Sequence, residues 1–292
     1  MSALHLIDAS IYVFRAYYSM PPNFIDKKGE LVHAVYGYAS FLLDILAAGL
    51  THASVAFDES LTTCYRNEIF PGYKANRDLP DENLKYQIAQ CQRLTGLLGF
   101  HNLALKDYEA DDIIGTLATR FGEGTDIVIV TRDKDLGQLL RENDVMWDFA
   151  NDDYMGPSDI AQKFGVRPDQ IADFLALAGD SVDNIPGAPS IGAKTAALLI
   201  QQFGSLQALL ANPVAIETSG IRGAKRLAKI IAENIDALLL YRKITEIHCA
   251  VPMSITANEL VIQIPDKSGL SDFCREMNFS GRLRDRLVAA AK

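Results

Sequence analysis

The 292-residue chain contains no apolar run near the ~20 residues that a membrane-crossing helix requires, so no such span is predicted. Cysteine is scarce: Cys64, Cys91, Cys249 and Cys274 are scattered, with no C-x-x-C pair. That excludes a disulfide frame and a thiolate zinc site, and it predicts reduced thiols in a cytoplasmic protein. The five histidines show no metal-binding spacing such as H-E-x-x-H. The opening MSALHLIDAS lacks a basic stretch and a small-residue cleavage site, so no secretory signal is expected. Positive charge is also short, with 28 Lys and Arg against 37 Asp and Glu and a net charge of −9. Taken alone, that balance speaks against a nucleic-acid partner, provided the acids are spread over the surface. No low-complexity tract occurs, and the only duplication is a loose one, GAK at 192–194 and 223–225.

What is present is an ordinary globular composition, 49% hydrophobic and 22% charged, in a chain long enough for one large or two modest domains. Short β-branched runs at 4–7 (LHLI), 53–57 (ASVAF) and 126–130 (DIVIV) alternate with helical periodicity at 35–49 and 84–99. Strands alternating with helices predict an α/β fold with a mostly parallel central sheet flanked by helices. From about Pro168 the strand signal fades and short helices broken by glycine take over. The expected division is an α/β core over 1–165 and a helical part over 166–292, with a soft boundary near 160–168.

The acids fall at particular places. Asp8 follows the first apolar run, Asp58 the second, and Asp133 and Asp135 the third. Ligands of an open parallel sheet bind at the carboxyl ends of its strands, so these residues point to one crevice. The helix start YEADDIIGTLA adds Glu109, Asp111 and Asp112, and GDSVDN adds Asp180 and Asp183 from the helical part. Nine carboxylates packed together would strongly raise one another's pKa values unless cations stood among them. Oxygen-only ligands at this density suit Mg²⁺ or Mn²⁺, and the number of acids suits two ions about 3.5–4 Å apart. Setting the nine acids aside leaves a neutral balance, which weakens the charge objection to nucleic acid. Any single one of these aspartates is more often a turn or cap residue than a ligand, and EADD alone reads equally well as a helix N-terminus. The coincidence of all four clusters at crevice positions is what points to metal.

The stretch 64–80, CYRNEIFPGYKANRDLP, interleaves Arg66, Lys74 and Arg77 with Tyr65, Phe70 and Tyr73. Cations for phosphates with aromatic faces for unstacked bases is the chemistry of a single-strand channel; a solvated loop with buried aromatics is the alternative. IPGAPSIGAKTAALL at 185–199 places a glycine turn before a helix, where backbone N–H groups can hold a phosphate. A second basic run, Arg222, Lys225, Arg226 and Lys229, reads as a duplex contact or as a solvated helix face.

In order, LIDASIYVFRAYY, VAFDES, RNEIFPGYKANR, EADDIIGTLA, TRDKDLGQLL and GDSVDNIPGAPSIGAKTA resemble the 5′-nuclease domain of bacterial DNA polymerase I and its flap-endonuclease relatives, from about residue 4 to at least residue 250. The resemblance implies a PIN-like 5′-nuclease fold, with a helical arch at about 64–83 and a helix–hairpin–helix element at about 185–204. It implies that Asp8, Asp58, Glu109, Asp111 and Asp112 hold a first metal ion, that Asp133 and Asp135 lie near both ions, and that Asp180 and Asp183 serve a second. Lys74 and Arg77 then steady the scissile phosphate, Tyr73 stacks a base, and Arg66, Gly187, Gly192 and Lys194 hold DNA, the last three without reading bases. Potassium at the carbonyls of the hairpin turn is a family property implied in the same way. Two departures are Ala9, where the family often has glycine, and Arg132, in place of the glycine of T-G-D-K-D.

The expected function is therefore a structure-specific, two-metal 5′-nuclease, acting as a monomer on 5′ flaps or 5′ ends of duplex DNA or on RNA–DNA hybrids. Replication and repair are the implied setting, with a DNA polymerase as a partner and no membrane. The alternative readings are a PIN-like metal-dependent ribonuclease and a non-catalytic binder of DNA junctions.

Overall fold

In the computed structural model, which describes residues 3–59, 64–77 and 79–291, the chain divides into two units. The first comprises Met1–Leu61, Leu79–Arg132 and Cys249–Lys292. Its four strands are β1 (Leu4–Asp8), β2 (His52–Phe57), β3 (His101–Ala104) and β4 (Ile127–Val130). They are parallel in the order β3-β2-β1-β4, with Asp8 opposite Ala56 and Ile7 opposite Val130. β4 reads IVIV and is buried throughout, as a strand covered on both faces must be. Helices Ala9–Ser19, His33–Ala47, Glu82–Leu97 and Ala110–Phe121 accompany the sheet. The third starts where it does because the Asp81 side chain accepts from Leu84 N–H at 2.7 Å.

The C-terminal segment packs in this first unit. Its helices Lys267–Glu276 and Gly281–Ala289 are tied back by the Arg93–Glu276 ion pair and by Arg286–Asp44 at 2.5 Å. Gln263 N–H donates to Gly99 O at 2.8 Å, and here glycine is obligatory. Gly99 has φ +86°, and a Cβ there would stand 2.0 Å from Gln263 O.

The second unit comprises Thr62–Asp78 and Asp133–His248. An antiparallel hairpin that the apolar runs do not announce, β5 (Val145–Asp148) and β6 (Asp153–Met155), follows a short helix, Lys134–Leu139, in its larger segment. Its second strand is only three residues long and carries an acid. Helices follow at Pro157–Phe164, Ile171–Ala178, Ala193–Phe203, Leu206–Ala211, Ala224–Glu233 and Ile235–Thr245. The second and last of these are joined by an Arg242–Asp173 ion pair and by Thr245 Oγ1 donating to Ala172 O at 2.8 Å. The units cut the chain differently from the sequence division at residue 165: 64–77 goes with the later helices, while 249–291 returns to the sheet.

Candidate active site

The five acids of the first unit lie where the strands end. Asp8 is the last residue of β1 and the N-cap of helix Ala9–Ser19, and it is 4% exposed. Thr131, just past β4, donates its hydroxyl to Asp8 Oδ2 at 3.0 Å. Asp58, just past β2, accepts from Ser10 Oγ at 2.6 Å and from Ala110 N–H at 2.8 Å. Those two bonds tie the end of β2 to the residues after β1 and to the start of helix Ala110–Phe121, as the parallel topology demands. The three carboxylates of YEADD are accommodated by that helix start. Glu109 is its N-cap, and the Glu109 and Asp112 side chains form a reciprocal capping box, Asp112 accepting from Glu109 N–H at 3.2 Å. The positive end of the helix dipole favours acids there. The cap reading of this motif is thus realised for Glu109 and Asp112, which leaves Asp111 as the acid of the first turn outside the box.

The four candidate acids of the second unit are Asp133, Asp135, Asp180 and Asp183. Asp133 caps the short helix Lys134–Leu139, accepting from Asp135 N–H at 2.9 Å. Lys134 projects onto Asp180, Nζ to Oδ2 at 2.5 Å, and lies 3.4 Å from Asp135 Oδ1. Asp180 also closes its own turn, accepting from Val182 N–H at 2.8 Å, and pairs through its backbone with Ile185. Burial alone would raise the Asp180 pKa, but the Lys134 ammonium and the turn N–H groups outweigh it and hold the carboxyl below its ordinary value. Asp135 goes the other way. Burial first, then the charge of Asp133 and more weakly those of Asp183 and Asp180, push it up to about 7 against the pull of Lys134. Lys134 itself is raised, the surrounding carboxylates overcoming its burial.

Lys74 and Arg77 meet Asp183. Arg77 NH2 donates to Asp183 Oδ1 at 2.6 Å, and Lys74 Nζ is 3.9 Å from Oδ2. Lys74 is held at φ +53°, an uncommon conformation for a non-glycine residue, and its N–H donates to Asp183 O at 3.0 Å.

Two residues read from the sequence as DNA contacts are buried here. Arg66 is 3% exposed, its guanidinium donating to Ile244 O at 2.9 Å and Glu246 O at 3.0 Å and lying 4.7 Å from the Tyr65 ring centre. Tyr73 is 4% exposed, packed with Cys64, Ile185 and Ile244, and its hydroxyl donates to Asp183 Oδ2 at 3.1 Å. Arg66 and Tyr73 are thus buried in or beside a small core, whereas Lys74 is half-buried and Arg77 exposed. Of the arch expected over 64–83, the structure describes helix Tyr65–Ile69, turns over 71–76 and the start of helix Glu82–Leu97; residue 78 lies outside the described residues.

In the hairpin turn, Gly187 has φ +67°, and a Cβ there would meet Gly179 N at 2.4 Å. Two backbone segments cross at that point and only glycine fits. Gly192 is the N-cap of helix Ala193–Phe203, with Lys194 exposed in its first turn. Ser10, Thr131, Lys134 and Asn184 escaped the sequence reading. Lys134 alone carried a local signal, as the cation within TRDKD.

Among the described residues, no group of three or more His, Cys, Asp or Glu side chains stands in an ion-holding arrangement. The carboxylates are instead taken up by capped N–H groups, hydroxyls and the cations Lys134, Lys74 and Arg77. Also among the described residues, no helix is long and apolar enough to cross a membrane.

The family model for the N-terminal resolvase-like domain of 5′-3′ exonucleases matches residues 3–165, and that for their C-terminal SAM fold matches 166–268. The DNA polymerase I of Rhizobium leguminosarum is 36% identical over 95% of this chain, which spans 28% of that polymerase's length. The 5′-3′ exonuclease of Buchnera aphidicola is 32% identical, with 94% of this chain and 96% of that protein covered. A solved complex of the bacteriophage T5 flap endonuclease with DNA and metal ions has the same fold, at TM-score 0.64 and 17% identity, covering 99% of each chain. The chain therefore belongs to the 5′-3′ exonuclease family of phosphodiester-cleaving hydrolases.

Proposed function

We propose that this chain is a metal-dependent, structure-specific nuclease that hydrolyses phosphodiester bonds close to the junction of 5′ flaps or at 5′ ends of duplex DNA, RNA–DNA hybrids included. One observation carries this reading: Asp8, Asp58 and the Glu109–Asp112 helix start are bonded into one place at the carboxyl end of a parallel sheet. Their donor chemistry suits divalent ions. Asp135 Oδ1 is buried and accepts no hydrogen bond, and Asp8 is nearly sealed from water. A buried carboxylate is costly without compensating charge, and at Asp135 the Lys134 ammonium 3.4 Å from Oδ1 supplies part of it. The donors are all oxygens, which favours Mg²⁺ or Mn²⁺. Asp8, Asp58 and Asp111 would hold one ion, with Glu109 and Asp112 orienting the helix that presents Asp111; Asp133, Asp135, Asp180 and Asp183 would hold a second. Such ions supply a hydroxide from bound water and offset charge on the phosphate.

The chain's own groups do the rest. Lys74 and Arg77 would bind the scissile phosphate and the charge that develops on it. The 185–192 turn and Lys194 would grip the duplex backbone, and the turn's carbonyls suit a potassium ion. Functionally, 1–165 would carry the chemistry and 166–292 the duplex. A monomer acting in the cytoplasm alongside a DNA polymerase is the setting that follows from this reading.

The test is product mapping on a 5′-labelled flap. Cleavage near the junction with Mg²⁺, none with EDTA, and none from Asp111→Asn with an unchanged circular dichroism spectrum is the expected result. Full turnover in EDTA or by Asp111→Asn would refute the metal mechanism. Preferential cleavage of single-stranded RNA would establish the PIN-like ribonuclease, and metal-dependent binding without cleavage a junction binder.

A further inference from the structure

The stretch Gly72–Arg77 is fastened to the loop after Gly179 along its whole length. Asn184 Nδ2 donates to Gly72 O at 2.6 Å, Tyr73 OH to Asp183 Oδ2 at 3.1 Å, and Lys74 N–H to Asp183 O at 3.0 Å. Asn76 Nδ2 reaches Ser181 O at 3.0 Å, and Arg77 reaches Asp183 Oδ1 at 2.6 Å. Two cations, Lys74 and Arg77, therefore share the one carboxylate of Asp183, while Lys134 takes Asp180.

We infer that the Asp180–Ile185 loop and Gly72–Arg77 form a charge-operated latch: Asp183 retains Lys74 and Arg77 until a divalent cation takes its carboxylate and frees both side chains for a nucleic-acid phosphate. The inference rests on the proposed reading of Asp183 as an ion ligand. The physical case has three parts. Lys74 and Arg77 both reach the carboxylate of Asp183, and a divalent ion at its oxygens offsets that charge and weakens both attractions. The fastening is also peripheral. Ala75, Asn76, Arg77, Ser181 and Asn184 are exposed, so their hydrogen bonds can pass to water at little cost. Finally, Lys74 stores backbone strain at φ +53°, which release would relieve. Tyr73, packed against Cys64, Ile185 and Ile244, stays behind as the pivot.

Hydrogen exchange of the full chain, read on peptides covering Gly72–Arg77, tests the latch, with Mg²⁺ uptake followed in parallel by calorimetry. Without Mg²⁺ the stretch should exchange slowly. With Mg²⁺ it should exchange about tenfold faster, the scale of losing one charge-assisted hydrogen bond. Asp183→Asn should exchange fast without Mg²⁺, respond no further to it, and bind one ion fewer. Arg77→Gln, at an exposed position, should reproduce the fast exchange while keeping the full ion count. Ion uptake by the wild type with unchanged exchange would overturn the latch alone. Equal ion uptake by wild type and Asp183→Asn would overturn the reading of Asp183 as a ligand, and the latch with it.

Discussion

Arg66 separates what the sequence suggests from what the structure builds. The substitution Arg66→Met keeps most of the volume and removes the charge. Two backbone acceptors, Ile244 O and Glu246 O, then lose a guanidinium donor that reaches each of them at 3.0 Å or less. A hydrogen bond to a charged group contributes about 1.5–3 kcal/mol, and a buried acceptor left unpaired costs on the order of 1–3 kcal/mol. The Glu246 bond is partly accessible, so water can replace it, and the net loss comes to about 3 kcal/mol, most of it at the Ile244 carbonyl. For a body of this size that corresponds to a fall in Tm of roughly 6–12 °C. Thermal unfolding by circular dichroism measures the fall. Fluorescence anisotropy on a flap at several salt concentrations measures the number of phosphate contacts, each contributing about 0.9 to the slope of log K against log salt. The expected outcome is a lower Tm with an unchanged salt slope. An unchanged Tm with a slope shallower by about one contact would refute the argument and restore Arg66 as a phosphate ligand.

Three further outcomes follow from the same geometry. Lys74→Ala should slow flap cleavage by about two orders of magnitude, the scale of removing one donor to developing charge, while duplex affinity changes little; equal losses in single-turnover rate and affinity would contradict that role. Asp135 is pushed up to about 7 from an ordinary 3.8, so in chelator the folded chain holds a proton between those values that the unfolded chain has released. Stability contributed by that proton is full below about 4 and lost as pH rises to about 7. Urea midpoints at pH 5 and pH 8 should therefore drop more in the wild type than in Asp135→Asn, and parallel drops would show that the group is not shifted. Gly187→Ala forces a Cβ to within 2.4 Å of Gly179 N at φ +67°. It should lower the urea midpoint by the equivalent of at least about 2 kcal/mol; an unchanged midpoint would mean that the two backbone segments do not cross so closely in solution.

How far the site was legible depends on the range over which each feature is encoded. The parallel sheet could be read because β-branched runs and helical periodicity are local, and Asp8 and Asp58 could be placed because each directly follows such a run. The return of residues 249–291 to the sheet could not. It rests on Gln263 meeting Gly99 and on Glu276 meeting Arg93, pairs more than 160 residues apart with nothing in either neighbourhood to announce them. The burial of Arg66 and Tyr73 was illegible for a different reason. A cation beside aromatic rings is the same local pattern whether the guanidinium faces a phosphate or two backbone carbonyls, and only the position of helix Ile235–Thr245 decides between them. The acids carry the deepest ambiguity. Capping a helix and holding a metal ion both require a carboxylate aimed at positive charge, so Glu109, Asp112 and Asp133 satisfy the first demand with the geometry the second would use. Asp135 is where the two demands part. Its Oδ1 is buried and accepts no hydrogen bond, so capping does not account for it. What that oxygen faces is the Lys134 ammonium at 3.4 Å, and a metal ion would have to displace that charge to reach it.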